Sequence, residues 1–262
     1  MIRLLLFMAL LCPVLRAEET GVSISLISEQ STIQAGEAFT VGLHLEHEEG
    51  YHTYWEHPGI VGIATSLKWK LPEGFHASEI QWPHPTRGMM AVHPCFSYER
   101  DVTLLVTITP PAKILTPEVE LRARASWMCC ADSCHPGSKS LSLTLPVGDE
   151  AKADPAQVKR FQTARAEIPK PSKDWSAKLL SAKDADPIVV QLRTLSGERP
   201  LDLFSRDGQF TSTAKVEIRP DGAKQWQVKL ERSEYSPKGA NKLPFVLRSG
   251  EAYFELAPRV SK

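Results

Sequence analysis

Residues 119–130, VELRARASWMCC, alternate over their whole length and end on two adjacent cysteines. Val119, Leu121, Ala123, Ala125, Trp127 and Cys129 share one parity, and Glu120, Arg122, Arg124, Ser126, Met128 and Cys130 the other. A period of two marks a strand with one face in a core and one in water. It also assigns the thiols: Cys129 is expected to point into the core and Cys130 out of it. A chain built on such a strand needs further strands to cover its apolar side.

Those strands are legible. AFTVGLHLE (38–46) alternates in the same way, VTLLVTIT (102–109) and SLSLTLPV (140–147) are further candidates, and 22–28 and 66–70 are shorter ones. Pro and Gly breaks separate them, the pattern of an antiparallel sandwich. After Gly148 the character changes. Residues 149–174 are charged and helix-prone, with Pro155 near the start and Pro169 past the end, and read as a helical linker. Strand signals resume at PIVVQLRTL, AKVEIRP, QWQVKLE, LPFVLRS and EAYFELA, which predicts a second, smaller all-β domain over 175–262. That stretch holds no cysteine and no histidine, so its expected role is scaffold or docking surface.

The chain begins MIRLLLFMALLCPVLRAEE: Arg3, an apolar run from Leu4 to Leu11, then Ala17 before acidic residues. This predicts a secretory signal over 1–17, too short to span a bilayer. Bulky Leu11 before Cys12 argues against a lipid anchor there. The first domain is then 18–148. No later run approaches the ~20 apolar residues of a membrane helix, so a soluble, exported chain with no membrane insertion after signal cleavage is expected. Lys plus Arg (31) equals Asp plus Glu (31), so no net field draws it to nucleic acid or anionic lipid. Export places its thiols where disulfides persist.

Four cysteines follow the signal: Cys95, Cys129, Cys130 and Cys134. Adjacent Cys129 and Cys130 are poor partners, whereas a turn at Ala131–Ser133 would bring Cys134 beside Cys130. In the chain-entropy treatment that five-residue ring stabilises by only about 2 kcal/mol, against about 4 for a 36-residue loop between Cys95 and Cys130. The short bridge is the poorer staple, and a strained, exposed bridge is the more readily reduced. This favours redox use over a structural role. Cys129 reads as a buried, inert thiol. Zinc would want two separated ligand pairs, and only one tight pair is present. Copper(I) is the stronger rival, since MMAVHPC (89–95) and MCCADSCH (128–135) offer three methionines, four cysteines and two histidines.

CCADSCHPG (129–137) resembles the cysteine hairpin in the amino-terminal periplasmic domain of the bacterial disulfide reductase DsbD. EGYHTYWEHPG (49–59) is similar to that family's Gly-Tyr-x-x-Tyr strand, and KLPEGF (70–75) and YERDVTLLVTITPPA (98–112) match in kind and order. The spacing W-x-x-C-x-x-x-C-x-P-G is closest to the suppressor-of-copper-sensitivity branch, in which a second immunoglobulin-like domain follows. The resemblance spans most of 22–148. It implies an all-β chain of two immunoglobulin-like β-sandwich domains joined by a short helical linker, with one reversible disulfide in the first.

By that resemblance Cys130 and Cys134 are the redox pair, Cys134 the attacking thiol and Cys130 the resolving one. The family's shielding cap falls on 82–98, with Phe96 or Met89 and Met90 as lids and Cys95 in the same stretch. Tyr51, His52 and Tyr54 match the strand beside the cysteines, and His135 adjoins the nucleophile. The implied partners are thioredoxin-like periplasmic proteins and a membrane-embedded reductase that donates electrons. DsbD-type reductases continue into membrane and thioredoxin-like domains, whereas this chain stops at Lys262, so separate partners are expected. No cofactor is implied. The alternatives are a periplasmic copper(I)-binding protein and a non-catalytic immunoglobulin-like interaction domain.

Overall fold

The computed structural model describes residues 20–182, 184–213 and 216–259, so the signal segment 1–17 and Cys12 lie outside the described residues. In chain order the first strands are β1 (Val22–Ser28), β2 (Gln30–Gln34), β3 (Phe39–His47), β4 (Thr53–Gly59), β5 (Ser66–Lys70) and β6 (His76–Ala77). They are followed by β7 (Thr86–Met90), β8 (His93–Tyr98), β9 (Val102–Thr109), β10 (Glu118–Cys130), β11 (Cys134–Gly148) and β12 (Lys152–Ala153). One sheet runs β1-β3-β9-β6, and another runs β12-β2-β11-β10-β5. Val119, Leu121 and Leu145 of the second meet Val41, Val106 and Ile108 of the first, forming the core of a sandwich.

The alternation of β10 is realised as far as Cys129. Val119, Leu121, Ala123, Ala125, Trp127 and Cys129 are buried, while Arg122 and Arg124 are exposed. In β3 the expected solvent face is covered instead: His44 is only 7 % exposed. The cover is α1 (Val158–Glu167), whose Phe161 and Ala164 pack on Leu105 outside the sheet. The helix between the two sandwiches is therefore docked on the first. Arg165 forks onto Glu29 at 2.7 and 3.0 Å, and Arg100 reaches Glu167 at 3.1 Å.

The second sandwich comprises β13 (Lys170–Pro171), β14 (Trp175–Leu179), β15 (Ile188–Thr194), β16 (Asp202–Ser205), β17 (Glu217–Pro220), β18 (Gln225–Leu230), β19 (Phe245–Ser249) and β20 (Ala252–Leu256). Its sheets run β13-β20-β19-β16 and β14-β15-β18-β17. Val190, Val228, Phe245 and Leu247 lie in the core between them. The fold is thus all-β, of immunoglobulin-like sandwiches.

A third, small sheet, β4-β8-β7, stands at the junction. Trp55 of β4 and Phe96 of β8 enter the first core, and Phe204 of β16 and Val246 of β19 enter the same cluster from the other side. The two sandwiches share apolar packing through this sheet.

Candidate functional site: a bridged cysteine hairpin under a methionine

β10 and β11 form one long hairpin whose register ends on Cys130 opposite Cys134. Ala131–Ser133 make the turn, closed by Ala131 N–H donating to Ser133 O at 3.1 Å. The two sulfurs are joined as a disulfide with Cα atoms 4.2 Å apart. Trp127 lies opposite Gly137, where an added Cβ would come within 2.4 Å of the indole. Glycine lets the ring cross the hairpin just below the bridge.

Cys130 does not face water as the alternation predicts. It is 0 % exposed, because the outer face of the strand is covered at this one end. His52 exchanges backbone hydrogen bonds with Cys130 at 2.9 and 3.0 Å, which lays the start of β4 beside the bridge. Tyr54 Oη then donates to Cys130 Sγ at 3.1 Å and lies 4.0 Å from Cys134 Sγ. His52 Nε2 is 3.3 Å from the same hydroxyl. Burial, with Cys95 and Cys129 nearby, pushes the Tyr54 phenol up to about 12, so it stays a donor at neutral pH. Burial also holds His52 below the usual imidazole value.

The cap region is the hairpin β7–β8, and it sorts its side chains by parity. Met90 lies with its Sδ 3.7 Å from Cys134 Sγ. Met89, one position earlier, points away and is 53 % exposed. Phe96 is not a lid: it is fully buried in the shared core, edge-on to Trp55 at 6.1 Å and to Phe204 at 5.2 Å. Neighbours in a strand face opposite sides, so Cys95 next to it turns to the bridge instead. Cys95, Tyr54 and Cys130 form one buried cluster, flanked by Val61, Met90, Met128 and Cys134.

Cys95 and Cys129 are free, and the fold separates them, Cys129 lying in the first core. Burial pushes Cys95 up to about 11 and Cys129 up to about 12. The soft ligands considered for copper divide likewise: Met90, Met128, Cys95, Cys130 and Cys134 come together, while Cys129 and Met89 do not. Among the described residues, no three His, Cys, Asp or Glu side chains form a metal-binding group. His135 is half-buried opposite Cys129 in the hairpin, 2.9 Å from Ser133 Oγ, with the Tyr51 ring 6.4 Å away. Among the described residues no helix is long and apolar enough to cross a membrane.

Sequence reading missed Arg87, Asp202 and Phe204, which tie the cap to the second sandwich. Arg87 and Asp202 are 115 positions apart, and no local pattern links them.

Residues 25–146 match the family described as thiol:disulfide interchange protein DsbD, N-terminal. Among solved structures the chain is similar to the N-terminal periplasmic domain of ScsB from Proteus mirabilis. The TM-score is 0.69 at 16 % identity, over 93 % of this chain and 94 % of that one. The sporulation control protein Spo0M from Bacillus subtilis overlaps 91 % of this chain and 90 % of its own at 10 % identity, but its TM-score of 0.26 carries no structural weight. No curated protein matches the chain. The family match takes in β4, β7–β8, β10 and β11 as far as Pro146, so the bridge and the strands around it lie in a DsbD amino-terminal-like domain with a ScsB-like fold.

Proposed function

We propose that the chain is an exported thiol–disulfide exchange module, working in the periplasm between a membrane-embedded reductase and thioredoxin-like proteins. The observation that carries this is the Cys130–Cys134 bridge at a hairpin tip, with one sulfur sealed and the other only partly covered. In the reduced form the Cys134 thiolate attacks a client disulfide, breaking its S–S bond and releasing one client thiolate. Cys130 then attacks Cys134 Sγ in the mixed disulfide and the second client thiol leaves. The bridge is re-formed, and the reductase returns two electrons to it. Attack belongs to Cys134 because Cys130 is fully buried beneath Tyr54.

The test is trapping. Cys130→Ser should accumulate a covalent complex with a thioredoxin-like client, seen on non-reducing gels and mapped by mass spectrometry, and Cys134→Ser should not. Trapping by Cys134→Ser alone reverses the roles. If neither variant traps a client, the exchange reading is wrong.

A further inference from the structure

The hairpin that carries Met90 is anchored in its own sandwich through β8, where Phe96 and Tyr98 are buried, and less firmly through β7. β8 pairs with β4 at Tyr98 and Ser97, but the register breaks between Tyr54 and Gly59, and only Cys95 pairs beyond the break. The hairpin's turn is exposed, with Ala91 at φ 52° and Val92 77 % exposed.

A further hold comes from the second sandwich and reaches both strands. On β7, Arg87 Nε donates to Asp202 Oδ2 at 2.6 Å and Nη2 to Oδ1 at 2.9 Å, while Nη1 donates to the Ser212 carbonyl at 2.9 Å. On β8, the Pro94 carbonyl accepts from Ser212 Oγ at 2.7 Å. The guanidinium lies 5.2 Å from the Phe96 ring and 5.8 Å from Phe204. The Arg87 and Asp202 side chains are only 27 % and 19 % exposed, so solvent screens their two-pronged pair less than one on the open surface. Arg87 is three residues from Met90, whose sulfur rests on Cys134.

The geometry points to a lid latch, an inference that rests on the exchange reading: Asp202 and Ser212 of the second sandwich hold the Arg87–Pro94 hairpin closed, and so set how readily a thiol reaches Cys134. They are positioning residues that act through Met90. The domain without cysteine or histidine thereby controls access to chemistry it does not perform.

The full chain, oxidised, is reduced by dithiothreitol in excess. The S–S bond breaks, two cysteine thiols form and the dithiol closes to its cyclic disulfide, so no client is needed. Asp202→Asn and Met90→Ala should each raise the rate about fivefold, the effect of losing one modest interaction. The double variant should be no faster than Met90→Ala alone, a non-additivity that general destabilisation would not produce. Ser212→Ala, which removes the bond to the Pro94 carbonyl and a long one from Ile60 N–H but leaves the Arg87–Asp202 pair intact, should accelerate less, and carries the test if Asp202→Asn folds poorly. Rates unchanged in Asp202→Asn and Ser212→Ala, or multiplying with Met90→Ala, overturn the latch. Client trapping with unchanged rates would sink the latch alone; a responsive rate without trapping would sink the exchange reading alone.

Discussion

Tyr54 places one hydroxyl against Cys130 Sγ, and its ionisation is held up at about 12. In the proposed exchange the same donor would face the Cys130 thiol once the bridge opens and stabilise the thiolate that attacks the mixed disulfide. A hydrogen bond to a charged group is worth about 1.5–3 kcal/mol. Tyr54→Phe should therefore slow resolution of the mixed disulfide about tenfold or more at pH 7, a step of ~1.4 kcal/mol or above. The measurement is the decay of a Cys134-linked complex by rapid acid quench. An unchanged decay would remove Tyr54 from the chemistry and leave it a packing residue.

At the scale of elements, the β10–β11 hairpin delivers the two sulfurs, and its tightest point is Gly137 against Trp127. Trp127 is 5 % exposed and cannot swing clear of an added methyl. Gly137→Ala should cost about 1–3 kcal/mol, as overpacking in a filled core does, and be visible as a lower thermal midpoint. The same variant should disturb the end of the hairpin and change the rate of bridge reduction. Gly137→Ala with wild-type stability would mean that the hairpin absorbs the clash by bending.

Across the whole molecule, the shared core makes one sandwich depend on the other. Phe204 is 2 % exposed and packs on Trp55 and Phe96. Phe204→Ala should cost about 3–5 kcal/mol and speed amide hydrogen exchange in β3 and β9 as well as in the second sandwich. Faster exchange confined to residues after 175 would show independent halves. Stability should also carry a defined pH window. Burial lowers His47 and His84 to about 4 from 6.5, so the unfolded chain binds more protons between those values and stability falls as pH drops from about 6.5. Burial raises Cys95 to about 11 and Cys129 to about 12 from 9.0, so their contribution is full below about 9 and lost as pH rises through 11–12. On account of these groups the urea midpoint should be highest between about pH 6.5 and 9. A midpoint that climbs steadily through pH 10 would contradict that window.

The period of two in 119–130, the turn at Ala131–Ser133 and the Pro and Gly breaks were enough to find the longer strands of both sandwiches, the hairpin and the meeting of Cys130 with Cys134. These are local properties: side-chain parity and turn chemistry act within a few residues. Strand β16 was missed because Asp202–Ser205 is too short to show a period. Burial of the outward-facing Cys130, the placement of Met90 rather than Phe96 against the bridge, and the covered face of β3 were decided elsewhere in the chain. Each depends on a surface supplied by a distant segment: β4 and the 86–98 hairpin over the bridge, Phe204 against Phe96, α1 over Leu105. Alternation tells which side a residue faces, and only the tertiary structure decides what stands there.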